Sequence, residues 1–203
     1  MTNAHIFSSH LVNESRLEKE VNSVIKTKVC EKVIVFGYFK KGLPIKQFYS
    51  HNIIFKRVKF LFCDVKSAKL RKVGSLTKFF TLNFKFLTYC LKHKPTILSV
   101  HNPVFLPLGA FVKRILGSYL IYVPHELETE RTGIRGGIKK LIGFIEKHFI
   151  KHCDGMTVVC EPIKDWYENK YQIRGIGVVP NIPIHPSLGS VPNATDILRE
   201  EFK

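Results

Sequence analysis

The segment that follows the apolar run 119–123 (YLIYV) holds the residues best suited to chemistry. It contains His125 and Glu126, with Arg131 close behind. A histidine at the mouth of a parallel sheet can act as an acid, as a base or as a hydrogen-bond donor to a sugar hydroxyl. Neighbouring carboxylates can orient that histidine or bind polyols. The plain structural alternative is a loop histidine followed by the charged first turn of a helix.

Two further groups of polar residues follow apolar runs. His101 and Asn102 come directly after the run 96–100, and Arg16 lies downstream of the run 4–8. The carboxyl ends of parallel strands meet at one edge of a sheet, and this edge is where ligands bind in open α/β folds. We therefore expect these residues and His125 to lie around one site.

Strand-like and helix-like segments alternate along the chain. This order predicts an α/β fold with a doubly wound, Rossmann-like parallel sheet and helices on both faces. Strands are predicted at 4–8, 32–38, 53–62, 96–100, 119–123, 155–159 and 176–179, and helices at 14–28, 76–94, 104–116, after Gly136-Gly137 and from Pro162.

Two of the predicted helices carry informative patterns. In the segment 76–94 the polar residues recur at helical spacing and form one stripe, while most other positions are apolar. Either this helix packs against the sheet with its lysines outward, or it lies on an anionic lipid surface. The polar stripe comprises Lys78, Thr81, Lys85, Thr88 and Lys92, and the buried face predicted for the later helix comprises Ile138, Leu141, Ile142, Ile145 and Phe149.

Positive charge is concentrated in one part of the chain. The net charge is +16, and the segment 26–94 holds 17 lysines and arginines against two acids, Glu31 and Asp64. Such a field attracts anionic lipid, nucleic acids or phosphorylated ligands.

Cysteine usage and hydropathy bear on location. The five cysteines include no Cys-x-x-Cys pair, and residues 1–14 lack the apolar core of a secretion signal. No run approaches the roughly 20 apolar residues of a spanning helix. We expect reduced thiols and a cytoplasmic protein that contacts a membrane, if at all, peripherally on its inner face. No spacing typical of metal ligands is present, so no metal is expected.

Several common enzyme classes lack their motifs here. The chain contains no Gly-x-Gly-x-x-Gly sequence, no Walker-type loop and no Gly-x-Ser-x-Gly elbow. Dinucleotide-dependent enzymes, nucleotide hydrolases and serine hydrolases are therefore disfavoured. An unrelated doubly wound enzyme stays open, because fold does not fix function.

An ordered series of short motifs resembles the N-terminal domain of family-4 glycosyltransferases, which have the two-domain GT-B fold. The series covers about residues 13–181, including NESRLEKE near the start and SVHNPVFLPLGAFVKRILGSYLIY before the His125 segment. Its steps are His125-Glu126, Ile145-Glu146, the strand from Asp154 to Val159, and Asn181-Ile182-Pro183. The chain departs from the family in having no glycine in the segment 8–13.

The resemblance implies transfer of a sugar from a nucleotide donor to an acceptor, with retention of anomeric configuration. It places His125 at the floor of the cleft as the catalytic residue and Arg16, His101 and Asn102 on the acceptor side. Glu126 and Arg131 are further substrate-binding candidates. Neither a metal nor another cofactor is implied, since the nucleotide-sugar is a substrate.

The resemblance also implies a domain organisation. Residues 1–180 would form the acceptor-binding domain, half of a GT-B fold. Residues 181–203 would form a linker and the start of a donor domain, which the sequence does not contain. Catalysis requires both reactants to be held in register, so we expect this half alone to be incompetent.

Two other functions fit the sequence. The chain could be a non-catalytic half that holds a lipid-linked or polysaccharide acceptor, or that pairs with a separate donor-domain chain. A nucleic-acid binder would also be basic and rich in aromatic residues, but no nucleic-acid motif is present.

Overall fold

The computed structural model describes residues 1–59 and 68–182, and gives side chains for all of these except 68–78. The strands are β1 (Thr2–Ile6), β2 (Lys32–Tyr38), β3 (Lys46–Ser50), β4 (Ile53–Val58), β5 (Ile97–Val100), β6 (Tyr119–Tyr122), β7 (Gly155–Val158) and β8 (Gly177–Val178). The helices are α1 (Ser15–Lys26), α2 (Ala68–His93), α3 (Leu106–Leu116), α4 (Gly136–Phe149) and α5 (Glu161–Tyr171).

The strands form one sheet in the order β3-β4-β2-β1-β5-β6-β7-β8. All neighbours pair in parallel except β3, which pairs antiparallel with β4 at the edge. The predicted α/β fold is therefore confirmed. Strand β3 was not predicted, because its residues are mostly exposed and lack the apolar run of a buried strand.

The helices cover the two faces of the sheet unequally. Helix α1 packs Leu17 and Val21 onto one face, against residues of β2 and β4. Helices α2 to α5 supply residues to the larger core on the other face. Right-handed crossovers explain this, because the chain moves one way from β1 to β2 and the other way from β4 to β8. The α1 side of β5 to β7 consequently borders an open cavity.

Helix α2 buries a narrower stripe than its sequence suggests. Leu82, Phe86 and Cys90, spaced four residues apart, are buried in the core. Phe80 and Phe84 are 63% and 67% exposed, so apolar side chains as well as lysines lie on the outward face. A helix in an outer layer of this three-layer arrangement has only one face to bury.

Helix α4 also corrects a prediction. Ile142 and Ile145 are buried as expected, but Ile138 and Leu141 are 62% and 55% exposed. The inward face instead includes Glu146, which is fully buried. Periodicity alone assigned apolar residues to the inward face and missed Glu146, a carboxylate that has buried hydrogen-bond partners.

Some expectations lie outside the described residues: the end of the strand predicted at 53–62, and residues 183–203 of the predicted linker and following helix. Among the described helices, none combines the length and the apolar character needed to cross a bilayer.

Candidate functional site

A polar pocket of about 220 Å³ lies at the carboxyl ends of β1, β5 and β6. Five of the six residues predicted for the site line this pocket, which brings together segments more than 90 residues apart in sequence. The lining comprises Phe7, Ser8, Ser9, Glu14, His101, Asn102, His125, Glu126, Glu128 and Arg131.

A chain of three histidines runs from the core to this pocket. His5 Nδ1 lies 3.0 Å from His101 Nε2, and His101 Nδ1 lies 3.1 Å from His125 Nε2. Phe7 packs beside the middle and last rings of this chain, with centroids 4.6 Å from His101 and 5.2 Å from His125. The His125 ring is therefore fixed in place by one hydrogen bond and by ring contacts with Phe7 and His101.

The hydrogen bonds constrain the tautomers of this chain. His5 Nε2 is buried and has no partner among the described residues. A buried N–H without an acceptor is rarer than an unused lone pair, so we assign the proton of His5 to Nδ1. His5 then donates to His101, and His101 donates to His125 Nε2. The remaining proton of His125 lies on Nδ1, which suits hydrogen-bond donation to a ligand.

Burial keeps the histidines neutral at physiological pH. It lowers the pKa of His125 to about 4, with smaller contributions from the positive charges of Arg16 and Arg131. Burial, then His5, His125 and Arg16, lowers the pKa of His101 well below its usual value. A neutral His125 is a positioned hydrogen-bonding group at pH 7, and its conjugate acid is scarce.

The pocket also has charged lining residues. Arg131 Nε lies 3.3 Å from Glu126 Oε2, and Arg131 Nη1 lies 3.5 Å from Glu128 Oε2. Burial raises the pKa of Glu128 to about 7, although Arg131 acts in the opposite direction. Glu128 was not among the predicted site residues, because sequence alone did not distinguish it from the exposed acids beside it.

Asn102 has a structural contact as well as a place in the pocket. Its Oδ1 accepts a hydrogen bond of 3.1 Å from the backbone N–H of Val104 and caps the short 3₁₀ turn Pro103–Phe105. Side-chain capping of this kind satisfies a backbone donor that the turn leaves free. Asn102 thereby fixes the path from β5 into α3.

A buried arginine holds the loop between β1 and α1. Arg57 is 1% exposed and donates to three backbone carbonyls: Nε to His10 at 2.8 Å, Nη2 to Leu11 at 3.0 Å and Nη1 to Pro44 at 3.1 Å. Leu11 and Asn13 have φ values of 56° and 55°, a region that favours glycine. The loop thus adopts left-handed backbone without glycine, stabilised by the guanidinium.

Arg16 lies in a different cavity from the other predicted residues. It lines a space of about 440 Å³ between α1 and the α1 side of β5 to β7, together with Lys19 and Glu20. Burial raises the pKa of Glu20 to about 7, and the charge of Arg16 opposes this shift. The positive charge of Arg16 contributes to the lowered pKa of His125, so residues of the two cavities interact electrostatically.

Three potential metal ligands meet where the two cavities approach each other. They are His5, Glu20 and His101, whose ligand atoms all lie within 4.8 Å of one another. This group was not predicted from the sequence, because its residues come from three separate elements and have no motif spacing.

A carboxylate network anchors the segment that carries His125. Glu146 of α4 accepts hydrogen bonds from Tyr122 and Tyr167 at 2.8 Å and from Tyr171 at 2.7 Å. Tyr122 is the last residue of β6, and the other two tyrosines belong to α5. The end of β6, from which the site loop departs, is thereby tied to two helices.

Comparison of the fold with solved structures finds glycosyltransferases. Sucrose-phosphate synthase from Thermosynechococcus elongatus matches with a TM-score of 0.64 at 10% identity, over 89% of this chain and 48% of that one. A shorter form of the same protein matches over 100% of both chains, with a TM-score of 0.60 and 13% identity.

Two further solved structures are similar. The lipopolysaccharide outer core galactosyltransferase WaaB has a TM-score of 0.53 at 13% identity, over 92% of this chain and 47% of that one. An Arabidopsis thaliana UGT complexed with UDP-L-rhamnose has a TM-score of 0.57 at 12% identity, over 95% of this chain and 55% of that one. The chain thus spans about half the length of these longer structures.

At these identities the structural matches establish the fold alone, which is one Rossmann-like half of the GT-B fold. No curated protein matches the sequence significantly. Residues 46–182, about two thirds of the chain, match the family model described as Glycosyltransferase Family 4. The chain therefore belongs to glycosyltransferase family 4.

Proposed function

We propose that this chain is the acceptor-side half of a retaining glycosyltransferase that moves a sugar from a nucleotide-sugar to a membrane-associated or polysaccharide acceptor. One observation carries the proposal: His101, Asn102, His125, Glu126 and Arg131 line a single pocket at the carboxyl ends of the strands. This is the edge of an open α/β sheet where ligands bind.

The chemistry of the pocket suits a sugar. Neutral imidazole and amide groups exchange hydrogen bonds with hydroxyls, and the carboxylates of Glu126 and Glu128 accept them. His125, held by His101, is the residue that we place against the reacting sugar. Arg16, in the adjacent cavity, supplies positive charge that would favour a phosphate-bearing part of the acceptor or donor.

Transfer also requires a donor-binding domain. We propose that residues 1–180 form the acceptor domain and that residues 181–203 lead towards a donor domain, supplied in cis or in trans. The solved relatives in which this chain spans about half the length support this organisation. Holding both reactants in a reactive geometry is a large part of catalysis, so the half alone should turn over poorly.

A membrane-associated acceptor fits the outer surface of the helical layer. Helices α2, α3 and α4 pack side by side, and their outward faces expose large apolar residues near lysines. The exposed residues are Phe80, Phe84 and Leu91 of α2, Phe111 and Ile115 of α3, and Ile138, Leu141 and Phe144 of α4. Apolar side chains flanked by basic ones suit an anionic lipid surface.

The decisive experiment completes the chain with a donor domain from a family-4 enzyme and measures release of the nucleotide. We expect His125→Ala to reduce kcat by at least about 100-fold, which is the usual scale for loss of a catalytic acid–base or positioning group. The matched control is His152→Gln, because His152 is exposed and lies outside the pocket. Equal turnover in the two variants would remove His125 from the mechanism.

A second experiment tests the lipid surface. The chain should bind vesicles that contain phosphatidylglycerol, and this binding should fall at high salt because charge is screened. Leu141→Ser with Phe144→Ser should weaken the binding, whereas Val29→Ser, an exposed residue away from the helical layer, should not. Retention on nucleic acid but not on vesicles would favour a nucleic-acid binder instead.

A non-catalytic half that only binds an acceptor is the second candidate. The exposed apolar surface on α2 to α4 favours it, since binding to lipid needs no donor domain. Vesicle binding without nucleotide release from any donor-domain combination would support this candidate.

A further inference from the structure

We propose that His5, Glu20 and His101 form a binding site for one divalent transition-metal ion of the Zn²⁺ class. The three ligand atoms form a compact triangle: His5 Nδ1 and His101 Nε2 are 3.0 Å apart, and Glu20 Oε1 is 3.7 Å and 4.0 Å from them. The point equidistant from the three atoms lies about 2.1 Å from each. Zinc binds imidazole nitrogen and carboxylate oxygen at roughly 2.0–2.2 Å.

The surrounding structure presents these ligands on regular elements. His5 lies in β1, Glu20 lies in α1, and His101 directly follows β5. β1 and β5 are paired in the sheet, with His5 beside Ser99 in the register, so the two imidazoles are held by the backbone. Only a few tenths of an ångström of movement would bring all three atoms to ideal spacing.

Access and a free coordination position come from the larger cavity. Both imidazoles are buried, whereas the Glu20 side chain is 27% exposed and lines the cavity together with Asn3 and Ser99. An ion can therefore enter from the α1 side of the sheet. Three protein ligands leave a fourth position, which water can occupy, as in open zinc sites.

The second nitrogen of His101 already has a suitable partner. Metal-bound histidines usually use the other ring nitrogen in a hydrogen bond that fixes the tautomer. Here His101 Nδ1 lies 3.1 Å from His125 Nε2. An ion on His101 Nε2 would require the proton on Nδ1, the same tautomer as in the ion-free chain, and would strengthen donation to His125.

Two features oppose tight binding. The ion displaces the proton of His5 from Nδ1 to Nε2, for which the described residues offer no acceptor. Arg16 places a positive charge near Glu20. We therefore expect weaker affinity than in a closed structural zinc site, and an ion that tightens α1 onto the sheet without being needed for folding.

The test titrates metal-free protein with Zn²⁺ and follows the histidine ring nitrogens by two-dimensional ¹H–¹⁵N NMR, with calorimetry for the affinity. We expect one equivalent to bind and the resonances of His5 Nδ1 and His101 Nε2 to take metal-bound shifts. Loss of a hydrogen-bond partner of a metal ligand already weakens metal binding by about 10–100-fold, so removal of a ligand in Glu20→Gln should weaken it by about 100-fold or more.

Two comparisons make the result specific. Glu18→Gln alters another acid of the same helix, outside the cluster, and should leave the affinity unchanged. Co²⁺ should give a spectrum without the intense thiolate band, which separates this site from the cysteines. Equal affinities in Glu20→Gln and Glu18→Gln, a thiolate band, or unshifted His5 and His101 nitrogens would each overturn the proposal. These readouts do not involve sugar transfer, so they stand apart from the proposed function.

Discussion

Replacing Glu146 with leucine tests the buried network that anchors the site loop. The change removes the acceptor of three tyrosine hydroxyls, two of which, on Tyr122 and Tyr167, are fully buried. A buried donor left without a partner costs roughly 1–3 kcal/mol. The two hydroxyls together therefore predict a loss of about 2–6 kcal/mol in the free energy of unfolding, while the half-buried Tyr171 can turn to water.

This loss would be a large fraction of the roughly 5–15 kcal/mol that stabilises an ordinary domain. Urea unfolding followed by far-UV circular dichroism measures it. A combined variant tests the cause of this loss. Glu146→Leu together with Tyr122→Phe and Tyr167→Phe removes the two buried donors along with the acceptor. Such a matched apolar replacement is nearly neutral, so most of the stability should return.

Tyr171→Phe is the control, since it removes one hydroxyl and leaves the carboxylate with two donors. It should cost less than Glu146→Leu. A Glu146→Leu variant within about 1 kcal/mol of the parent, or no recovery in the combined variant, would refute the view that the hydroxyls depend on this carboxylate.

Two further predictions concern the site region. Gly37→Ala should lower the free energy of unfolding in urea by about 1–3 kcal/mol, because its Cβ would lie 2.5 Å from Leu11 Cγ and 2.7 Å from the Ser9 carbonyl oxygen. The control Gly143→Ala, whose Cβ meets only ordinary contacts, should raise that free energy by about 0.5–1 kcal/mol. A similar loss in both variants would contradict this. Since the pKa of Glu128 is raised to about 7, the stability that its neutral form contributes is fully present below its unfolded pKa and is lost as pH rises through about 7. Between pH 5 and 8 the free energy of unfolding of Glu128→Gln should therefore rise relative to that of the parent, by at most about 3 kcal/mol. A pH-independent difference between the two free energies of unfolding would contradict this.

The sequence predicted the order of elements well where apolar runs were continuous. Strand β2 was predicted with its observed bounds, and Gly117 ends α3 in the left-handed conformation expected of a glycine at that position. Strand β3 was missed because an exposed edge strand has no such run. Ile138 and Leu141 were assigned to the wrong face, because periodicity shows which residues share one side of a helix and does not show what that side packs against.

The position of the site in the fold could be predicted from the sequence, whereas the arrangement of its residues could not. His101 and His125 could be placed at the same edge from sequence, because both follow apolar runs that form parallel neighbouring strands. Arg16 was expected beside them, yet it lies in the adjoining cavity. Its position depends on the rotation of α1 over the sheet, which local sequence does not fix.

The alternation of strands and helices follows from the sequence, and with it the parallel sheet and the edge where the site lies. Which buried polar groups meet depends on how the strands pair and how the helices dock. His5 lies within the apolar-looking run of β1, and Glu20 lies on a helix that also carries Glu18 and follows Glu14, so neither stands out locally. Their contact with His101 arises from strand pairing and from helix docking, which bring together residues that are distant in sequence. Hydrophobic periodicity records where side chains are buried, whereas the chemistry of this chain depends on what they are buried against.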